Sequence, residues 1–421
     1  MNLSESHSLI QKEDRELYEL LERELRRQED TLDMVASESI QDDVTLALSG
    51  SAFANKTAVG LPGHQRLLGS ENIDALEVLA ARRACALFGA EHANILPYSG
   101  TSANLCAYHG LLSQGDTVLA LDPEHGSHAS HGRAAHISAQ LYRFVHFGVD
   151  AQTQLINYDR LAETAAEVKP RLLLIGASSY PRAFDYARLA DIAHSVGACF
   201  MVDMAHTTGL VAGGAAENPV PYADVVTASC TKTMCSVHTG FILCKKAVAD
   251  KIDRGVYPGV LASMHPATIA AAAWALERAS RPAFAEQMQR TVRSAAYLAD
   301  ALRSRGLPLL TGGTDCHLFV IDLRSCACDD AYRVTEILSE MGIWVNTKAI
   351  PYDSTPYPRG IRAGVTVAVQ RGMGEDEFDR IADLYADAVR FAANGYTEDE
   401  MASCRACIRQ LCAQYPAHKP E

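Results

Sequence analysis

From about residue 75 the chain alternates stretches of helical periodicity with short, nearly all-apolar runs, and no other feature restricts its fold as strongly. The runs cover residues 92–98, 117–122, 171–178, 198–205 and 224–229, each closed by a polar or glycine-containing turn. Segments this short and this apolar bury both faces. Their alternation with helices predicts a mostly parallel sheet covered on both sides, an α/β architecture. A long helical stretch begins near Pro282 and is expected to reach about Arg305. Beyond it, residues 317–323, 342–346 and 360–369 read as strands of a smaller α+β domain, and roughly the last 45 residues as helical. Residues 13–30 set Leu17, Leu20, Leu21 and Leu25 at helical spacing among charges, an amphipathic N-terminal helix. The expected division is a helical arm over 1–30, a large domain over 31–285 and a small C-terminal domain over 286–421.

Composition narrows the function. Lysines and arginines number 38 against 51 acids, a net charge of −13, which argues against a nucleic acid or an anionic membrane as partner. No run approaches the ~18 apolar residues of a membrane span. Residues 1–30 are charged throughout and lack the apolar centre of an export signal. The 12 cysteines are therefore expected as reduced thiols of a cytoplasmic protein, not as a disulfide framework. Cys404-x-x-Cys407 and Cys326-x-Cys328 lack a second pair at metal spacing, so no metal is expected.

Ligands of open α/β sheets gather at the carboxyl ends of strands, and three such ends carry chemistry here. Pro97-Tyr98-Ser99-Gly100-Thr101-Ser102-Ala103-Asn104 puts small residues at the start of a helix, where free N–H groups and the helix dipole suit a phosphate. Taken alone, such a segment is more often a plain strand-to-helix turn. Asp203 ends a very apolar run, which is costly unless the acid meets a cation; as an isolated feature it reads as a helix cap. Lys232 follows the run 224–229 among hydroxyls and suits an amine nucleophile of lowered pKa, though a lone lysine there would simply reach for solvent. The three together match the needs of pyridoxal phosphate: a phosphate cradle, an acid for the ring nitrogen, and a lysine for the aldehyde. Arg362, in Gly360-Ile361-Arg362-Ala363-Gly364, supplies a two-pronged grip for an amino-acid carboxylate.

At these residues the chain resembles serine hydroxymethyltransferase, a family of fold-type I pyridoxal phosphate enzymes. The resemblance runs from Ala36-Ser37-Glu38-Ser39 to Cys412-Ala413-Gln414-Tyr415-Pro416 and is densest over 202–206, 218–227 and 312–319. It implies Lys232 as the Schiff-base lysine, Asp203 as partner of the pyridine nitrogen, and His128 as the imidazole stacked on the ring. It implies His206 and Ser178 near the cofactor's 3-hydroxyl and the substrate, Ser99, Gly100 and Thr101 at the phosphate, and Ser37 and Arg362 at the substrate carboxylate. A homodimer with shared active sites is implied as well, because the segment around Thr57 crosses to a neighbour in the family.

The folate half of the family's site is rewritten. Where the family reads Asn-Lys-Tyr-Ala-Glu-Gly-Tyr-Pro-Gly, this chain reads Asn55-Lys56-Thr57-Ala58-Val59-Gly60-Leu61-Pro62-Gly63. Val59 replaces the glutamate that donates a proton in one-carbon transfer, and Thr57 a phosphate-binding tyrosine. Arg66 and Leu67 replace a tyrosine pair, Thr231 the histidine before the lysine, and His238 an arginine. Ala262-Ser263 replaces a glycine pair, and Lys348 a pterin-binding asparagine. Loss of one such acid commonly slows a step by about 10²–10⁴.

With the cofactor residues kept, three reactions at Cα remain open: proton loss with β-elimination, decarboxylation, and retro-aldol cleavage. Retro-aldol cleavage needs a base that Val59 cannot be, whereas Lys232 serves elimination. The resulting expectation is a folate-independent enzyme acting on an amino-acid conjugate. Divergent relatives in lincosamide-type metabolism, which break the C–S bond of an S-linked cysteine or decarboxylate and deaminate it, supply the pattern. Serine hydroxymethyltransferase or β-hydroxy-amino-acid aldolase activity is the alternative. A non-catalytic scaffold would have no need of Lys232, Asp203, His128 and Arg362 together.

Overall fold

The computed structural model describes residues 3–418. Its strands are β1 (Leu32–Asp33), β2 (His92–Asn94), β3 (Thr117–Leu121), β4 (Arg143–Phe147), β5 (Leu172–Gly176) and β6 (Cys199–Asp203). They continue with β7 (Val225–Ser229), β8 (Gly240–Cys244), β9 (Leu318–Asp322), β10 (Ile343–Trp344), β11 (Asn346–Lys348) and β12 (Gly360–Gly364). Seven of them form the central sheet in the order β2-β8-β7-β6-β5-β3-β4. Only β8 runs against its neighbours there, so the expected mostly parallel sheet is present. Strands β5, β7 and β8 are buried at every residue, which is why they read as continuous apolar runs without alternation. Parallel order brings the carboxyl ends of β5, β6 and β7 side by side, at Gly176, Asp203 and Ser229.

A second apolar core lies over the antiparallel sheet β11-β12-β9. It is built from residues between Ala295 and Cys412, and it also takes in Leu32 and Met34. Strand β1 pairs in parallel with β10, Leu32 beside Ile343. The chain therefore touches the second core before it enters the first, which begins with Ala36. The helix that starts at Pro282 runs to Ser304, and helices Glu375–Asn394 and Glu398–Gln414 close the C-terminal part. The N-terminal amphipathic stretch is a helix over Arg15–Asp30, capped by Asp14, with Leu17 and Leu20 about half exposed.

Residues 366–369, expected as strand, are helical: β12 stops at Gly364 and helix Thr366–Arg371 follows. The run is β-branched, but all four of Thr366, Val367, Ala368 and Val369 are buried. Burial on every side removes the period-two signal and lets packing override propensity.

Candidate active site

The carboxyl ends of β6 and β7 and the start of helix Gly100–Leu111 enclose a cavity of about 120 Å³. Ser99, Gly100, Thr101, His128, Asp203, His206 and Lys232 all line it, beside Ala177, Ala205, Ser229, Thr231 and His238. Seven residues singled out from sequence thus meet at one place. Ser99 caps the helix, its hydroxyl accepting from Ser102 N at 3.1 Å, which leaves the N–H groups of Gly100 and Thr101 at a helix start without intrahelical acceptors. Gly240 lets this loop lie on β8: a Cβ there would stand 2.4 Å from Ser99 O. Gly176 does the same for the acid, since its Cβ would stand 2.7 Å from Asp203 Cβ.

Asp203 is buried and held by three donors. Oδ2 accepts from Asn104 Nδ2 at 2.8 Å and His131 Nε2 at 3.0 Å, and Oδ1 accepts from Ala205 N at 2.9 Å. Burial favours its neutral form, but the His131 bond and the charges of His131 and Lys232 win and hold the carboxyl well below the usual range. The network continues outward. Thr227 Oγ1 donates to Asn104 Oδ1 at 2.6 Å, Asn104 Nδ2 donates to Ser130 Oγ at 2.9 Å, and Ser130 Oγ donates to His128 Nδ1 at 2.8 Å. Ser130 N also donates to that nitrogen at 3.2 Å, so the His128 proton sits on Nε2. Burial keeps His128 neutral, its pKa lowered to about 4.

Lys232 opens a short 3₁₀ turn after β7 in the left-handed region, φ +52°, a conformation that costs a non-glycine residue about 1 kcal/mol or more and that packing must impose. Thr233 helps impose it, donating through Oγ1 to His206 O at 2.8 Å and accepting from Gly209 N at 3.0 Å. Burial lowers the Lys232 pKa, with Asp203 opposing and Arg362 assisting. His206 is pushed well below its ordinary value by burial and then by the Lys232 and Arg362 charges.

Arg362 comes from β12, opposite Asn346, and is not among the residues that line the cavity. Its Nη1 donates to Ser178 O at 2.7 Å and its Nη2 to Asn346 Oδ1 at 2.8 Å. The Ser178 hydroxyl turns away and donates to Ser127 O at 2.9 Å, so Ser178 meets Arg362 by its backbone. Ser37 lies in the turn whose Ala36 carbonyl accepts from His317 Nε2 at 3.0 Å. Thr57 and Arg66 are not brought to this cavity. Both are exposed, Arg66 Nε donating to Tyr257 Oη at 2.7 Å. Lys348 donates to Pro123 O at 3.2 Å.

Sequence reasoning did not assign roles to Asn104, Ser130, His131, Thr227 or His317. A hydroxyl at Thr227 inside an apolar strand and an amide at Asn104 on a buried helix face were the available signals. Among the described residues no group of three or more His, Cys, Asp or Glu is placed to hold a metal, and no helix is long and apolar enough to cross a membrane.

Comparison with known proteins points the same way as this geometry. A family model described as serine hydroxymethyltransferase matches residues 10–385. A serine hydroxymethyltransferase of Desulforapulum autotrophicum is 40% identical over 410 residues, 97% of each chain. Another, of Koribacter versatilis, is 39% identical over 411 residues, 97% of this chain and 96% of its own.

Proposed function

We propose a specific reaction for this chain, which belongs to the serine hydroxymethyltransferase family: a folate-independent change at Cα or Cβ of an amino-acid conjugate. Membership makes it a pyridoxal phosphate enzyme that acts on amino acids, and the residues present suit that cofactor. The cavity joins a helix start, an ionised acid and a buried amine, three groups matched to a phosphate, a protonated ring nitrogen and an aldehyde.

When bound, pyridoxal phosphate draws electrons from a bond at the substrate Cα. The chain's own groups do the rest. Asp203, fixed by Asn104 and His131, holds a proton on the ring nitrogen. The lowered pKa of Lys232 leaves more of its Nζ unprotonated, so this amine would hold the cofactor's aldehyde and would be available to a proton from the substrate Cα. Arg362, held by Ser178 O and Asn346, orients the substrate carboxylate.

The observation that carries the folate-independent reading is Val59. It stands where the family has its proton-donating glutamate, and its carbonyl ties the segment back on itself by accepting from Arg66 N at 2.8 Å. Among the described residues, the one carboxylate lining the cavity is Asp203, already engaged by His131, Asn104 and Ala205. The substrate we assign is an S-linked cysteine conjugate of lincosamide-type metabolism, undergoing C–S β-elimination or decarboxylative deamination. Thr57, Arg66 and Leu67, exposed on this chain, suit a partner's site in a cytoplasmic homodimer. The large domain would span 31–285 and the small one 286–421, with Leu32 and Met34 at the start of the former packed into the core of the latter.

The 40% identity to serine hydroxymethyltransferases favours the second reading, serine hydroxymethyltransferase or β-hydroxy-amino-acid aldolase activity. One experiment separates them. Purified holoenzyme is given S-alkylcysteines, serine with tetrahydrofolate, or threonine in parallel. Release of thiol or carbon dioxide from the first alone supports the proposal, and folate-dependent glycine formation from serine overturns it.

A further inference from the structure

We propose that His317 is a positioning residue: through one N–H it fixes the proton of His206 on Nε2 and anchors the Ala36–Ser37 turn beside Arg362. His317 is fully buried immediately before β9 and does not line the cavity. Its Nε2 lies 3.0 Å from Ala36 O. A carbonyl only accepts, so that nitrogen bears the proton. The same Nε2 lies 3.4 Å from His206 Nδ1, with the two rings 21° from parallel and 5.5 Å between centroids. A ring nitrogen that faces an N–H is left as an acceptor. The His206 proton is therefore on Nε2, the other ring nitrogen, and His206 is a cavity-lining residue.

The backbone of His317 completes the arrangement. Val365 N donates to His317 O at 3.0 Å, and Gly364 N donates to Met34 O at 2.8 Å. A Cβ on Gly364 would stand 2.7 Å from Ala36 Cα, so the turn that carries Ser37 rests directly on β12, two residues from Arg362. One imidazole thus touches a cavity histidine and the turn bearing Ser37, and its carbonyl holds the end of the strand bearing Arg362.

The inference rests on reading Ser37 and Arg362 as carboxylate contacts, and the test separates the two claims. Holoenzyme of wild type, His317→Gln, which keeps an N–H near Nε2, and His317→Phe, which keeps bulk without a donor, is titrated with glycine. The visible absorbance of the bound cofactor is followed. His317→Phe is expected to bind glycine about tenfold or more weakly and to shift the band seen without amino acid, while His317→Gln returns both to within about threefold of wild type. If His317→Phe does not fold, His317→Asn, whose amide reaches only as far as Nδ1, takes its place. An unmoved band in the donorless variant, or a glutamine variant as impaired as it, overturns the role of His317. A wild-type protein blind to glycine fails the carboxylate reading instead, and the amino-acid-free band still decides the histidine.

Discussion

Glu77 tests how the large core handles charge. The residue is 5% exposed on helix Glu71–Phe88, and among the described residues none hydrogen-bonds its Oε2. Burial first, then the charges of Asp74 and Asp253, push its carboxyl up to about 8. In the unfolded chain a glutamate titrates near about 4.3. Because the folded value is the higher one, the stability this group contributes is fully present below that unfolded value and lost as pH rises through about 8. At about 1.4 kcal/mol per pH interval, the window carries a ceiling of roughly 5 kcal/mol, which relaxation and water entry reduce to about 2–4 kcal/mol. Glu77→Gln keeps the shape and removes the titration. Denaturant unfolding of both holoenzymes should show a gap under about 1 kcal/mol at pH 5, growing to about 2–4 kcal/mol in favour of the variant at pH 9. Asp74, one turn away, accepts from Gly63 N at 2.9 Å, so relief also reaches the segment bearing Val59, and proteolysis there at pH 9 should slow. A gap that does not change with pH refutes the argument.

Asn104→Ala removes donors to Asp203 and Ser130 and strands the Thr227 hydroxyl; unfolding should show a loss of about 1–3 kcal/mol, and cofactor should leave faster on dialysis. Arg362→Lys gives up the fork that spans Ser178 O and Asn346; glycine titration of the visible band should show binding about 10–100-fold weaker, with the cofactor still bound. Burial pushes the thiols of Cys106, Cys199, Cys230 and Cys244 up to about 12 and those of Cys235 and Cys326 to about 11. A thiol reagent at pH 8 should therefore label these six slowly until the protein is denatured, and mass spectrometry that finds them fast-labelled contradicts that.

The sheet was legible in sequence because doubly buried strands leave uninterrupted apolar runs, and the site because parallel strands deliver Asp203 and Lys232 to one edge. Helix Thr366–Arg371 was not, since a β-branched run buried on all sides has no period to read. Nor was the polar network behind Asp203. Asn104, Ser130 and Thr227 lie 26 to 123 residues apart, and their partnership exists only once the sheet has formed. Ser178 shows a subtler limit: its hydroxyl donates to Ser127 O, and the group that meets Arg362 is its carbonyl, which every residue owns.

The pairing of β1 with β10 sets an order on assembly. Leu32 and Met34 emerge from the ribosome about 300 residues before Ile343, the partner that gives their strand a place, and early segments cannot fold against sequence not yet made. The turn bearing Ser37 must therefore wait through the synthesis of nearly the whole chain. Asp203 and Lys232 are thus made more than a hundred residues before the turn bearing Ser37 gains its place beside Arg362.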